Sequence, residues 1–352
     1  MSVSFRVALS ADFRSDRLET SWGDIGLGRL GQAGIAYDVL DVEHAVLSAD
    51  QIDGYDAVIF AAPAVDAATV AGSHPPALLA RFGVGLDSVD LAACTAAGVA
   101  VTITPDGAKR PVATAALAMI LATGHRLVAK DQLVRTARWE SKLDLLGSGL
   151  TGKTVGTVGF GNIAQELFTL LAPFATRNLT ADPFRDPEIT ARHGVELVDL
   201  PTLMQGSDVV VVTAALTPET FHAIGAAELA LMKSTAIIVN IARGPIIDVE
   251  ALTEVLRHRS IAGAGLDVFE VEPVPADHPL LALDNVVLSP HALAWTDEMA
   301  AGNGGSAVNA VLDVFHGRRP TFLGNPAVMS MPAFVDRLAR SSGRRPVPAT
   351  SI

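Results

Sequence analysis

"KTVGTVGFGNIAQE", Lys153 to Glu166, sets three glycines (Gly156, Gly159 and Gly161) between an apolar run and a segment that reads as a helix. Glycine costs a chain conformational entropy, so such a cluster marks a backbone that must turn tightly or be approached closely. Gly159-Phe160-Gly161-Asn162-Ile163-Ala164 fits the pattern G-x-G-x-x-G/A. Alone, that pattern is as common in ordinary turns, and its setting gives it weight. The strand-like "TVGTVG" precedes it and the helix-like "NIAQELFTLLAPF" follows; Asp182 ends the next strand-like run 21 positions after Gly161, close to the ~20 expected of a dinucleotide-binding unit.

The physics is specific. Gly159 permits the turn, Gly161 admits a pyrophosphate to the backbone, and Ala164 keeps helix and strand close. The helix N-terminus offers N–H groups and the positive end of its dipole to the anion. Asp182 can accept hydrogen bonds from adenosine ribose hydroxyls and would repel a 2′-phosphate, which favours NAD over NADP. Arg185, three residues on, is the kind of residue that accommodates that phosphate, and it leaves the choice open.

Working outward, strand-like apolar runs alternate with helix-like segments along most of the chain. "FRVALS", "YDAVIFAA", "LLARFGVG" and "VAVTITP" precede the glycine motif; "NLTAD", "VVVVTAA", "AIIVNIARG", "AGAGLDVF" and "NVVLSPH" follow it. Continuous apolar strands separated by helices indicate parallel sheets covered on both faces. The pattern predicts two α/β units, the second over roughly residues 106–297, joined through one long helix in "TPDGAKRPVATAALAMILATGHRLVAKDQLVR". The 352 residues suffice for two such cores. After Pro326 the chain reads as a loosely held tail ending in "SSGRRPVPATSI".

Composition narrows the classes further. Mean hydropathy is high, at +0.37, yet "PVATAALAMILATG" is shorter than the ~20 residues a membrane-spanning helix needs. The opening "MSVSFRVALSADFR" has no basic segment followed by an apolar core, so no secretory signal is expected. Cys94 is the only cysteine, which excludes a disulfide framework and fits a reducing cytoplasm. Net charge is −12 with scattered Lys and Arg, which argues against nucleic acid as a partner.

Three polar residues close later strand-like runs, where ligands bind in open α/β sheets: Arg243 in "NIARGPIID", Glu272 in "LDVFEVEP" and His291 in "LSPHALAW". Singly, each has a bland reading, as a solvated cation, a loop carboxylate and a cap. Together they have a chemical logic. Interconverting a ketone and an alcohol needs a hydride carrier, a proton shuttle and a grip on the substrate. Histidine is the natural shuttle near neutral pH, and a carboxylate beside it orients the ring and favours its protonated form. Arginine's planar fork suits a 2-oxo acid carboxylate or its carbonyl oxygen.

With "ARFGVGLDSVD", "VGTVGFGNIAQE", "LTPETFHAIGAAELALMKSTAIIVNIARG", "AGAGLDVFEVEP" and "LSPHALAWT", the chain resembles the D-isomer-specific 2-hydroxyacid dehydrogenases over about residues 50–328, in the manner of phosphoglycerate dehydrogenases and hydroxypyruvate or glyoxylate reductases. The resemblance implies two Rossmann-like α/β domains. A doubly wound NAD-binding domain, 106–297, is inserted into a flavodoxin-like substrate domain, 1–105 and 298–328, with 329–352 as a C-terminal tail and the active site in a cleft. It implies His291 as acid/base, Glu272 (not Glu270) as its carboxylate partner, and Arg243 as the substrate-binding cation. NAD would be held around Gly159, Phe160, Gly161, Asn162, Ile163, Asp182, Ala242, Arg243, Asp267 and His291, with Asp267 near the nicotinamide carboxamide. Backbone N–H groups at Val84 and Gly85 would hold the substrate carboxylate. Family members are typically homodimers built around the cofactor domain.

The sequence departs from that family at Thr114, where glutamate is frequent, and at Ala292 and Trp295 beside His291, where small residues are commoner. Trp295 would reshape the substrate or nicotinamide pocket. Lys109 and Arg110, or Arg81, could meet a second anionic or polyhydroxy end of the substrate; alternatively Lys109 and Arg110 form a helix-end charge pair facing solvent. Trp139 resembles a tryptophan that some hydroxypyruvate and glyoxylate reductases present near a neighbouring subunit's site, or it covers a dimer core. Two alternatives share the fold. Glu272 argues against formate as substrate, since formate enzymes carry glutamine there, whereas phosphite enzymes keep the Arg/Glu/His set. An NAD-sensing corepressor would also share these motifs and differ by lacking turnover.

Overall fold

A computed structural model describes residues 5–41 and 45–341 of the chain. The first four residues of the opening stretch, and residues 342–352 of the expected tail, lie outside the described residues. The chain divides into two units: described residues up to Ala108 together with those from Trp295 onward, and Lys109–Ala294 inserted between them. Those boundaries stand three residues from the 105/106 and 297/298 expected.

In the first unit β1 (Arg6–Leu9), β2 (Ala36–Val39), β3 (Ala57–Phe60), β4 (Leu78–Arg81) and β5 (Ala100–Thr102) form a parallel sheet in the order β2-β1-β3-β4-β5. That is the flavodoxin-like order. Alternation along β1, β3, β4 and β5 feeds two cores, whereas β2 at the sheet edge is half-exposed. Val7, Leu9, Ile59, Leu78 and Ala80 enter one; Ala8, Val58, Phe60, Leu79 and Val101 enter the other. This two-sided burial is why these strands read as unbroken apolar runs. Cys94 is fully buried in the second core, and burial pushes its thiol up to about 12.

The expected tail needs correction over part of its length. Helix Pro332–Ser341 belongs to the first unit. Phe334 is fully buried, and the Arg337 guanidinium donates to the carbonyls of Ala97 at 3.0 Å and Gly98 at 2.8 Å. Asp336 and Arg340 lie on the exposed face of this amphipathic helix.

In the second unit β6 (Thr154–Val158), β7 (Arg177–Ala181), β8 (Glu196–Leu197), β9 (Val209–Val212), β10 (Ile237–Asn240), β11 (Gly263–Leu266) and β12 (Val286–Leu288) lie parallel in the order β12-β11-β10-β9-β6-β7-β8. The order reverses direction between β6 and β9, the switch point at which doubly wound sheets bind ligands. The anticipated long helix is two helices, Pro105–Gly124 and Leu127–Arg135, bent by 58°. Arg126 between them has left-handed φ of 54°. Among the described residues no single helix is long and apolar enough to cross a membrane. Ala113, Ala116, Met119 and Ile120 of the first helix are instead spent on the unit's core.

Candidate active site

Most groups expected at the site of the second unit directly follow the C-terminal end of a parallel strand, and Glu272 lies a few residues beyond β11. The glycine turn follows β6, Asp182 follows β7, Arg243 follows β10, Asp267 follows β11 and His291 follows β12. Sheet order therefore places them along one edge.

Gly159 has φ of 95°, in the region that favours glycine. A Cβ there would meet the Ala214 backbone at 2.8 Å, so the residue is fixed by the protein's own packing. Gly161 differs. Its φ is −82° and no atom lies within 4 Å of where a Cβ would stand. It heads helix Asn162–Leu171 with no side chain capping the first turn. Open space in front of uncapped helix N–H groups is what an anionic pyrophosphate requires. The residues present fit a dinucleotide.

Asp182 is mostly buried, and its Oδ2 accepts the Phe160 N–H at 2.9 Å, tying the acidic group to the glycine turn. Arg185 Nε stands 3.5 Å from the same oxygen. Thr213, which the sequence pattern did not single out, braces the turn from β9, its hydroxyl donating to the Gly159 carbonyl at 2.8 Å.

Arg243 sits on a turn that Asn240 holds. Asn240 is buried, accepts from the Ala242 N–H at 3.0 Å and donates to the Arg243 carbonyl at 2.9 Å. An asparagine closing the apolar "AIIVN" run was a readable sign of this brace. Asp267 is also buried; its Oδ1 accepts the N–H groups of Ala292 and Leu293 at 3.0 and 3.1 Å, while its carbonyl takes that of His291 at 2.7 Å. His291 is held there with φ of 55°.

Glu272 is engaged at both oxygens. Oε1 accepts the Phe269 N–H at 2.8 Å, and Oε2 lies 2.8 Å from His291 Nδ1. His291 and Glu272 remain partly open, at 46% and 37% side-chain exposure, so solvent-borne molecules can reach the pair. A carboxylate on Nδ1 selects the tautomer that leaves Nε2 available for proton exchange.

Val84 and Gly85 belong to the first unit, in the loop after β4. Arg81 Nε donates to the Gly85 carbonyl at 3.3 Å. Trp295 also lies in the first unit, where it packs 4.5 Å from Trp22, centroid to centroid. Lys109 and Arg110 both bind Glu166, at 3.2 and 2.5 Å, so the helix-end charge pair is the arrangement found. The Arg110 hydrogen bond holds the Glu166 carboxyl below its ordinary value.

Residues 117–292 match the model of the D-isomer specific 2-hydroxyacid dehydrogenase NAD-binding domain. The chain belongs to this family. It is 39% identical over 260 residues to a glyoxylate reductase of Thermococcus onnurineus, covering 72% of this chain and 78% of that one. Among solved structures, a protein from Thermus thermophilus superposes with a TM-score of 0.80 at 31% identity, covering 91% of this chain and all of that one. An NADPH-dependent glyoxylate/hydroxypyruvate reductase from Sinorhizobium meliloti does so at 0.77 and 26%, covering 91% and 96%. The chain thus carries the family's NAD(P)-binding domain and is an oxidoreductase acting on 2-hydroxy acids.

Charge pairing at Glu166 has a measurable signature. A carboxyl held low when folded contributes stability above its unfolded value, about 4.3, and loses it as pH falls through the folded value. Melts of Arg110→Ala should therefore fall slightly below wild type at neutral pH and converge on it in acid. The same variant should leave KM unchanged across 2-oxo acids, because Arg110 is occupied by Glu166.

Proposed function

We propose that the chain reduces a small 2-oxo acid to its D-2-hydroxy acid, or runs the reverse, with NAD(H). The observation that carries this reading is the 2.8 Å contact between His291 Nδ1 and Glu272 Oε2, on the sheet edge that also bears the glycine turn. When bound, the nicotinamide cofactor supplies or accepts the hydride. In the reducing direction His291 gives the proton on Nε2 to the carbonyl oxygen, and Glu272 keeps Nδ1–H fixed while it does so. In the oxidising direction His291 takes that proton back from the hydroxyl.

Arg243 binds the substrate through its carboxylate or carbonyl oxygen, and the backbone N–H groups of Val84 and Gly85 bind the carboxylate. Gly159, Phe160, Gly161, Asn162 and Ile163 receive the pyrophosphate, and Ala242 and Asp267 border the nicotinamide. A structural duty falls on Asp267 as well, since one of its oxygens already holds the His291 loop. The similarity to a glyoxylate reductase makes glyoxylate the first substrate to try.

NAD is preferred, since Asp182 is anchored to the glycine turn and meets a 2′-phosphate with like charge. A homodimer is supported by the exposed apolar side chains of Leu127, Val128, Val134, Trp139, Leu143 and Leu146, all between 47% and 88% exposed.

Absorbance of NADH followed across glyoxylate, hydroxypyruvate, pyruvate, phenylpyruvate and oxaloacetate tests the reading. At least one should turn over, with NADH favoured over NADPH by about tenfold or more, given the several kcal/mol of a like-charge contact. Asp182→Ala should narrow that ratio. Tight NADH binding without turnover of any oxo acid would overturn the 2-oxo acid reading and point to phosphite chemistry or NAD sensing.

A further inference from the structure

His222 lies outside every group so far assigned to the reaction, yet it touches both segments that carry it. Its backbone N–H donates to the Pro245 carbonyl at 2.8 Å, on the turn that bears Arg243. Its ring Nε2 lies 3.2 Å from Glu270 Oε1, on the segment that bears Glu272. Phe221 stacks on the ring at 4.1 Å between centroids, with planes 16° apart, and so fixes its orientation. The residue adopts φ of 49°, a conformation that costs a non-glycine side chain and persists only where its surroundings impose it. Ile224 N–H to the Ile246 carbonyl, at 3.1 Å, continues the same seam.

The two segments also meet directly. A Cβ on Gly244 would collide with the backbone of Phe269 and Glu270, so the Arg243 turn lies flush on the Glu272 segment. From there the chain of contacts runs on: the Phe269 N–H to Glu272 Oε1, then Glu272 Oε2 to His291 Nδ1. We propose that His222 is a positioning residue, clamping the Arg243 turn to the Glu272 segment so that the arginine and the His291–Glu272 pair hold one mutual geometry. This rests on the catalytic roles given above to Arg243, Glu272 and His291. The hydrogen bond to Glu270 is the clamp's side-chain arm, and it gives Glu270 a task distinct from that of Glu272 two residues on.

Two substitutions separate the hydrogen bond from the backbone. Asparagine tolerates positive φ but is too short to reach Glu270. Glutamine places an N–H donor near the position of Nε2. His222→Asn should lower kcat on the order of tenfold by misplacing reacting groups while leaving NADH affinity unchanged, because the glycine turn is braced separately by Thr213. Hydrogen exchange of the intact protein should quicken at residues 243–247 and 269–272 and nowhere in the β-sheets. His222→Gln should restore both readings to near wild type.

Wild-type kcat and protection in His222→Asn would overturn the proposal. So would a glutamine variant as impaired as the asparagine one, or faster exchange spread through the whole unit. Should the wild type turn over no oxo acid, the 2-oxo acid reading fails, and the exchange comparison alone still decides whether the clamp exists.

Discussion

His291→Asn is expected to lower kcat by about 10²–10⁴-fold, the usual contribution of a positioned general acid or base, while NADH affinity and melting temperature stay near wild type. Asparagine is the informative replacement because His291 has φ of 55°, which asparagine adopts more readily than most residues. The loop is held through backbone groups, by Asp267 at the N–H groups of Ala292 and Leu293, so it does not depend on the imidazole. Glu272→Gln isolates the second member of the pair. It keeps the shape and can still accept the Phe269 N–H, but it removes the charge on which His291 Nδ1 rests. A hydrogen bond to a charged group contributes about 1.5–3 kcal/mol, so this variant should lose about 10- to 100-fold in kcat. Steady-state kinetics beside NADH fluorescence titrations check both. A His291→Asn enzyme with near wild-type kcat would assign the proton transfer to another group.

Much of this site could be read in the sequence because it sits where chain order and chemistry coincide. A parallel strand buried on both faces is an apolar run, and the polar residue that ends it stands out; Arg243 and His291 are of this kind, whereas Asp267 was marked only by the family resemblance. The glycine turn was legible for the same reason, between a strand and a helix with Asp182 at the correct remove. What could not be read was whatever depends on partners far apart in the chain. β2 and β8 lie at sheet edges with half-exposed residues, so they lack the continuous apolar signal of their neighbours. Lys109 and Arg110 looked free to meet a substrate because Glu166, their actual partner, is over fifty residues away. Nothing local marks His222 either. Its meaning lies in Pro245 and Glu270, which only the folded chain brings to it.

Gly244→Ala should be as damaging to the enzyme as loss of the histidine, by a different route. The added Cβ would fall on the carbonyl of Phe269 and the nitrogen of Glu270, backbone atoms that cannot rotate away. Either the Arg243 turn or the Glu272 segment must move. Overpacking of this sort costs about 1–3 kcal/mol or more, and in a unit of this size each kcal/mol lowers Tm by about 2–4 °C. The kinetic penalty is the larger one, since a shift of about 1 Å in a catalytic group can cost 10²-fold, and here Arg243 and Glu272 are pushed apart together. Gly161→Ala is the matching control. Its Cβ enters open space at an ordinary φ, so the fold should melt as wild type does. The methyl group instead occupies the approach to the uncapped helix N-terminus and should raise the Kd for NADH. Paired melting curves and NADH titrations thus separate a glycine required by the protein from one required by its ligand. A Gly244→Ala protein with wild-type Tm and kcat would show that the two segments can part without consequence, and that neither is held by the other.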